Sequence, residues 1–173
     1  PSEEIKKYFV TKKGTDAGIN GYISTNKDIE AIIGTVAFST FKTMLKYEIE
    51  RLKQTEGQSN IVGINILNAS QVFSKVGTQA HQTVLKDLVG VIRNSIRSSD
   101  AISFKSSSVI IVQMNEIPLR IAKRIVDEIV QMLEQLISDN FQDLKIELAS
   151  EVAQLDFKLS HELQIQQLIK DFR

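Results

Sequence analysis

The chain has 173 residues, enough for one domain with a sizeable core, and its 42% hydrophobic and 24% charged residues are ordinary for a globular protein. Twenty-one basic residues balance 21 acidic ones, so no global field draws the chain to nucleic acid or to an anionic membrane. Cysteine is absent and only His81 and His161 are present, which excludes disulfides, thiolate metal sites and histidine-rich catalytic clusters and suits a reducing cytoplasm. No apolar run reaches the roughly 18 residues that span a bilayer, and no signal-peptide pattern opens the chain, so no membrane contact is expected.

Residues 1–27 carry Gly14, Gly18 and Gly21 among lysines, with short apolar pieces such as Tyr8-Phe9-Val10. This composition predicts a linker or the tail of a preceding domain, and the first residue, proline, suggests a piece of a longer protein. The regular pattern, and with it the predicted domain, occupies 28–173. Phe38, Phe41, Leu45, Ile49 and Leu52 recur at three- and four-residue spacings and predict a helix over about 37–54, stopped by Gly57. Ile61, Val62, Ile64, Ile66 and Leu67 form a short β-branched run, a buried strand. A second helix covers about 78–96, with Ala80, Val84, Leu85, Leu88, Val91, Ile92 and Ile96 on one side. Ala101–Phe104 and Val109–Val112 flank a four-residue turn, Lys105 to Ser108, and predict a β-hairpin. Pro118 precedes a third helix whose inner face holds Ile121, Ile125, Ile129, Met132, Leu133 and Leu136. Leu144–Ala149 reads as a further strand and His161–Phe172 as a last helix. The order α-β-α-β-β-α-β-α predicts an α/β (α+β) fold, a mixed central sheet surrounded by helices.

The stretch Arg97-Ser98-Ser99-Asp100-Ala101-Ile102-Ser103-Phe104-Lys105-Ser106-Ser107-Ser108-Val109-Ile110 resembles the signature of a GGDEF domain, the diguanylate cyclase fold. In that family an Arg-x-x-Asp pair precedes a Gly-Gly-Asp/Glu-Glu-Phe hairpin by five residues. Glu30-Ala31-Ile32-Ile33-Gly34 through Phe41 is similar to the family's opening Asp-x-Leu-Thr-Gly motif, keeping the glycine, the closing aromatic and an initial acid. Ile64-Asn65-Ile66-Leu67 stands where the family has its metal-binding strand, Gly77 matches the glycine of its Tyr-Gly-His, and Val84-Leu85 its following Val-Leu. The resemblance covers about residues 28 to 172 and implies a nucleotide-cyclase sheet with a ferredoxin-like core. It also implies a bacterial signalling protein whose partner domains lie elsewhere in a larger chain, and a possible homodimer.

The family condenses two GTP molecules, with carboxylates holding Mg²⁺ against phosphates that closely approach the glycine hairpin. Carried over by motif, the strand carboxylate is Asn65, the hairpin acids are Ser108 and Val109, and the glycines are Ser106 and Ser107. The guanine-reading Asn and Asp become Phe73 and Gln82. Losing one such group costs several kcal/mol of transition-state stabilisation. With all of them replaced, the expectation is a domain without cyclase activity, and with no cofactor or metal of its own.

The serine run offers hydroxyls to an anion, yet it lacks both a Gly-x-x-x-x-Gly-Lys pattern and a base to activate a nucleophile. Turn chemistry alone accounts for it. Arg97 and Asp100 are retained, and the resemblance makes them an inhibitory site for cyclic di-GMP, with Arg93 one turn earlier on the same helix. A guanidinium forks onto guanine or phosphate, and a carboxylate accepts from guanine N1–H and its amine. Read without the family, Arg97 is a cation at a helix C-terminus and Asp100 a turn residue. Lys105, Arg120, Lys123 and Arg124 extend the basic surroundings or form a solvated face. Phe73 plugs the old cleft, anchors a partner or packs into core. Two expectations therefore stand beside each other: a catalytically inactive sensor of cyclic di-GMP, and a module for protein contact or dimerisation that binds no nucleotide.

Overall fold

The computed structural model describes residues 32–170 and 172. The expected linker at 1–27 and the opening acid Glu30 lie outside them. The elements run α1 (Phe38–Leu52), β1 (Asn60–Ile66), α2 (Ala69–Phe73), α3 (Gly77–Ser95), β2 (Ala101–Ser106), β3 (Val109–Met114), α4 (Leu119–Asn140), β4 (Leu148–Gln154) and α5 (His161–Lys170), with a 3₁₀ turn at Gln142–Leu144.

The strands lie in the order β2-β3-β1-β4. Both faces of this sheet are covered, and the alternation of β1 shows how. Val62, Ile64 and Ile66 join the core beneath α3 and α4, with Leu88, Ile92, Ile125 and Leu133. Ile61, one residue out of phase, joins the second core with Phe41, Leu45 and Ile49 of α1 and Ile165 and Leu168 of α5. A strand between two cores turns apolar residues to both faces, hence the β-branched Ile61, Val62, Ile64 and Ile66, interrupted by Gly63 and Asn65. Gly63 stands where a Cβ would come within 2.4 Å of the Phe172 ring, so the end of the chain packs on bare backbone there. Helix α4 buries Ile121, Ile125, Ile129, Leu133 and Ile137 on one stripe, each worth about 1.5–3 kcal/mol over exposure.

Four expectations are corrected in detail. The sheet is not mixed: all three pairings among the described strands are antiparallel. Each helical crossover does join strands of like direction, β1 to β2 and β3 to β4, but a third strand sits between each such pair. This is the ferredoxin-like arrangement. The last strand spans Leu148–Gln154, not Leu144–Ala149, because the 3₁₀ turn and Lys145, at φ 52°, delay pairing until Leu148 meets Ile66. As an edge strand its residues are half-buried, so it carries no apolar run to mark it. The hairpin turn has two residues, Ser107 and Ser108, and β2 absorbs Lys105 as a bulge between Phe104 and Ser106. The short helix α2 was not anticipated, because five residues are too few for periodicity to show.

Candidate functional site

Strand register brings the positions matched by motif together at one end of the sheet. Asn65 pairs with Val109, Val109 faces Ser106, and the Ile66 N–H donates to the Ser108 carbonyl at 2.8 Å. Asn65 and Ser108 line one open cavity of about 530 Å³, together with Leu67, Asn68 and Glu147. Its floor is neutral apart from Glu147. Asn68 ties the walls together, donating from Nδ2 to the Lys145 carbonyl at 2.8 Å and accepting the Glu147 N–H at 3.0 Å.

This donor set does not fit a magnesium ion carrying phosphates. Asn65 offers one neutral oxygen, Ser108 a hydroxyl already 3.2 Å from Ser106 Oγ, and Val109 is buried on the α1 side of the sheet. Among the described residues no group of three His, Asp or Glu side chains is placed to hold a metal. The hairpin has also lost the backbone shape that requires glycine. Neither Ser106 nor Ser107 has a positive φ, whereas Gly34 (96°) and Gly77 (82°), both matched by motif, do. The serines therefore sit without strain.

Phe73, at the position matched by motif to a guanine-reading residue, packs inward. It ends α2, 9% exposed within the α3/α4 core, and stacks on His81 of α3 with ring centroids 3.8 Å apart. Gln82, half-buried, follows His81 on α3. Sequence reasoning weighed Phe73 as plug, anchor or core residue, and the structure makes it a core residue. His81 was missed; the signal was its position four residues after the left-handed Gly77, which folds α3 back toward α2.

Arg93, Arg97 and Asp100 are brought together where α3 ends and β2 begins, as their spacing suggested. Asp100 Oδ2 accepts the Arg97 N–H at 3.0 Å and faces Arg97 Nε at 3.4 Å, while Oδ1 accepts the Asn115 N–H at 3.2 Å. Arg97 Nη2 donates to the Asn115 carbonyl, and Arg93 Nη2 donates to the Arg97 carbonyl. Asp100 is 1% exposed and Arg97 13%. Burial pushes the Asp100 carboxyl above its ordinary value, against the Arg97 charge and two backbone N–H groups. The pair thus clips the helix end to the β3–α4 loop, and the carboxylate faces protein, not solvent. Lys105, Arg120, Lys123 and Arg124 are exposed.

A second buried polar group went unnoticed in the sequence. Glu48 of α1, 6% exposed, is held bidentately by Arg51 and accepts the Ser59 hydroxyl, whose oxygen accepts the Glu116 N–H. Burial alone would raise the Glu48 carboxyl; the Arg51 and Ser59 hydrogen bonds and the Arg51 charge bring it below its ordinary value. Its polar residues come from three distant segments, so no local pattern announces it.

No protein-family model matches the chain, and no curated protein matches it in sequence. Solved structures do. The GGDEF domain of FimX from Pseudomonas aeruginosa superposes with a TM-score of 0.70 at 13% identity, over 83% of this chain and 90% of that one. The GGDEF domain of DgcB from Caulobacter crescentus, solved in complex with c-di-GMP, gives 0.68 at 10% identity, over 84% and 87%. The diguanylate cyclase SiaD from Pseudomonas aeruginosa, solved with its activator SiaC, gives 0.67 at 10% identity, over 83% of this chain and 56% of that one. At such identities the likeness is one of fold.

Proposed function

We propose that this chain, which has the GGDEF fold, is a regulatory domain of a cytoplasmic signalling protein that condenses no GTP and acts through contact with protein partners. One observation carries the reading. The positions that would hold metal, phosphate and base are occupied by Asn65, Ser108, buried Val109 and a Phe73 ring stacked on His81. A fold kept while its electrostatic machinery is replaced has its surfaces left to work with. The closed Arg97–Asp100 pair favours contact over nucleotide sensing, because a ligand must first displace the bonds to Asn115.

Cyclic di-GMP sensing is the second reading. It is favoured by the adjacency of Arg97 and Asp100 at the spacing of the family motif and by the c-di-GMP held by the DgcB domain. Calorimetric titration with cyclic di-GMP, alongside incubation with GTP and Mg²⁺, tests both. The contact reading expects no heat and no dinucleotide. Micromolar binding that Arg97→Ala or Asp100→Asn abolishes, in variants whose circular dichroism is unchanged, would establish the sensor instead. Any dinucleotide formed from GTP would overturn the loss of activity.

A further inference from the structure

The loop between β4 and α5 is held rigid in a way its sequence does not advertise. Gln164, 7% exposed in the first turn of α5, accepts the Asp156 N–H at 2.8 Å and donates from Nε2 to the Asp156 and Leu159 carbonyls at 2.9 and 3.0 Å. The Leu159 N–H closes the turn onto Asp156 at 3.1 Å, Asp156 Oδ1 accepts the Lys158 N–H at 2.8 Å, and Ser160 Oγ accepts the Leu163 N–H at 3.1 Å. So fixed, the loop leaves Phe157 46% exposed instead of folding it inward. Two open cavities meet at this ring. One, of about 690 Å³, faces the 52–58 turn and is lined by the acids Glu56 and Asp156. The other, of about 380 Å³, lies between the loop and α1.

The second cavity has a distinct chemistry. Ile49 and Leu159 supply apolar surface beside Phe157, and Lys46, Lys53 and Lys158 line it with a single acid, Glu50, which pairs with Lys53 at 2.9 Å. Ser160, which precedes α5, and His161, its first residue, also line it, adding the positive end of that helix. With its three lysines set against Glu50 alone this groove carries a local cationic excess, while the acids Glu56 and Asp156 flank the ring on its other side.

We propose that the groove between α1 and the β4–α5 loop, centred on Phe157, docks an acidic segment of a partner protein that carries one large apolar side chain. The inference rests on the contact reading above and names its surface. A ring carried on a loop that hydrogen bonds order before binding leaves less backbone freedom to lose on docking. Buried aromatic anchors carry most of the energy of such contacts, while the surrounding charges set partner choice and rate of encounter. The acids Glu56 and Asp156 on the other side of Phe157 repel a uniform polyanion such as nucleic acid, which leaves a short acidic segment with one apolar side chain.

The test is an amide-resolved NMR titration of the full chain with a short synthetic Glu/Asp-rich peptide bearing one central Phe, beside its Lys/Arg-rich counterpart and a version with the Phe replaced by Gly. The acidic Phe peptide is expected to shift residues 46–53 and 156–161 and to bind more weakly as salt rises. Phe157→Ala, at an exposed position, should weaken it by about tenfold or more, and the pair Lys46→Glu with Lys158→Glu should remove most of its salt dependence. No shift at these residues, equal binding of the basic or Gly peptide, or indifference to Phe157→Ala would overturn the groove. So would peptide-independent shifts there that grow with protein concentration, which would assign the face to a second copy of the chain. Titration with cyclic di-GMP in the same spectra separates the two failures: shifts confined to 93–100 and 115 would sink the contact reading, whereas a silent peptide beside a silent dinucleotide would remove only the groove.

Discussion

Asp100 and Glu48 are both buried carboxyls beside an arginine, yet their environments push them in opposite directions. Glu48 has a bidentate guanidinium and a hydroxyl, so its folded value lies below the ordinary 4.5. The stability it contributes is complete above that value and is lost as pH falls through the lower, folded one. Glu48→Gln should therefore cost about 2 kcal/mol at neutral pH, and the gap to wild type should close on acidification, as read by urea denaturation across pH. Asp100, with its folded value raised above 3.8, gives the reverse slope: stability falls as pH climbs from 3.8 through the folded value. Asp100→Asn should flatten that limb. Arg97→Ala leaves the Asp100 charge buried with backbone N–H groups alone, and a loss of about 3 kcal/mol in the same denaturation experiment is expected.

At the level of elements, the hairpin keeps its register with serines in its turn. Strands β2 and β3 still place Ser106, Ser108 and Val109 beside Asn65, but the bulge at Lys105 lets the turn close with no residue at positive φ. Restoring glycine there would add flexibility where none is used. Ser106→Gly and Ser107→Gly are each expected to lower stability by about 0.5–1 kcal/mol in thermal unfolding. At Gly77, by contrast, the φ of 82° itself demands glycine, since an added Cβ would meet nothing within 4 Å. Gly77→Ala should cost about 1 kcal/mol by backbone strain alone and should loosen the Phe73–His81 stack, visible as faster amide exchange in α2.

For the whole molecule, the sheet is a rigid frame covered on both faces, and its function depends on what is presented at its edges and ends. If carboxylates at the motif positions were all that GTP condensation required of this fold, adding them would confer it. The triple change Asn65→Asp, Ser108→Glu, Val109→Glu should instead yield no dinucleotide from GTP and Mg²⁺ by chromatography. Phe73, packed in the core against His81, offers no polar group to a base, and a glutamate at buried position 109 would face the apolar core with Phe41 and Leu45. Dinucleotide formed by that variant would mean that neither obstacle prevents the reaction.

The sequence by itself determined the elements with strong periodicity or unbroken apolar runs: α1, β1, α3, the hairpin and α4. It also determined the loss of charge at Asn65 and Ser108, because residue identity is chemistry before any folding takes place. It placed the last strand at Leu144–Ala149 and so missed most of β4, whose edge position replaces apolar patterning with half-burial, and it did not reveal the antiparallel sheet, since a strand inserted between two others is a long-range pairing. Only the tertiary structure decided that Asp100 faces inward, that Phe73 meets His81, and that Gln164 holds Phe157 out beside three lysines. Each of these is a contact between segments separated along the chain, and contacts of that kind follow from packing rather than from local spacing.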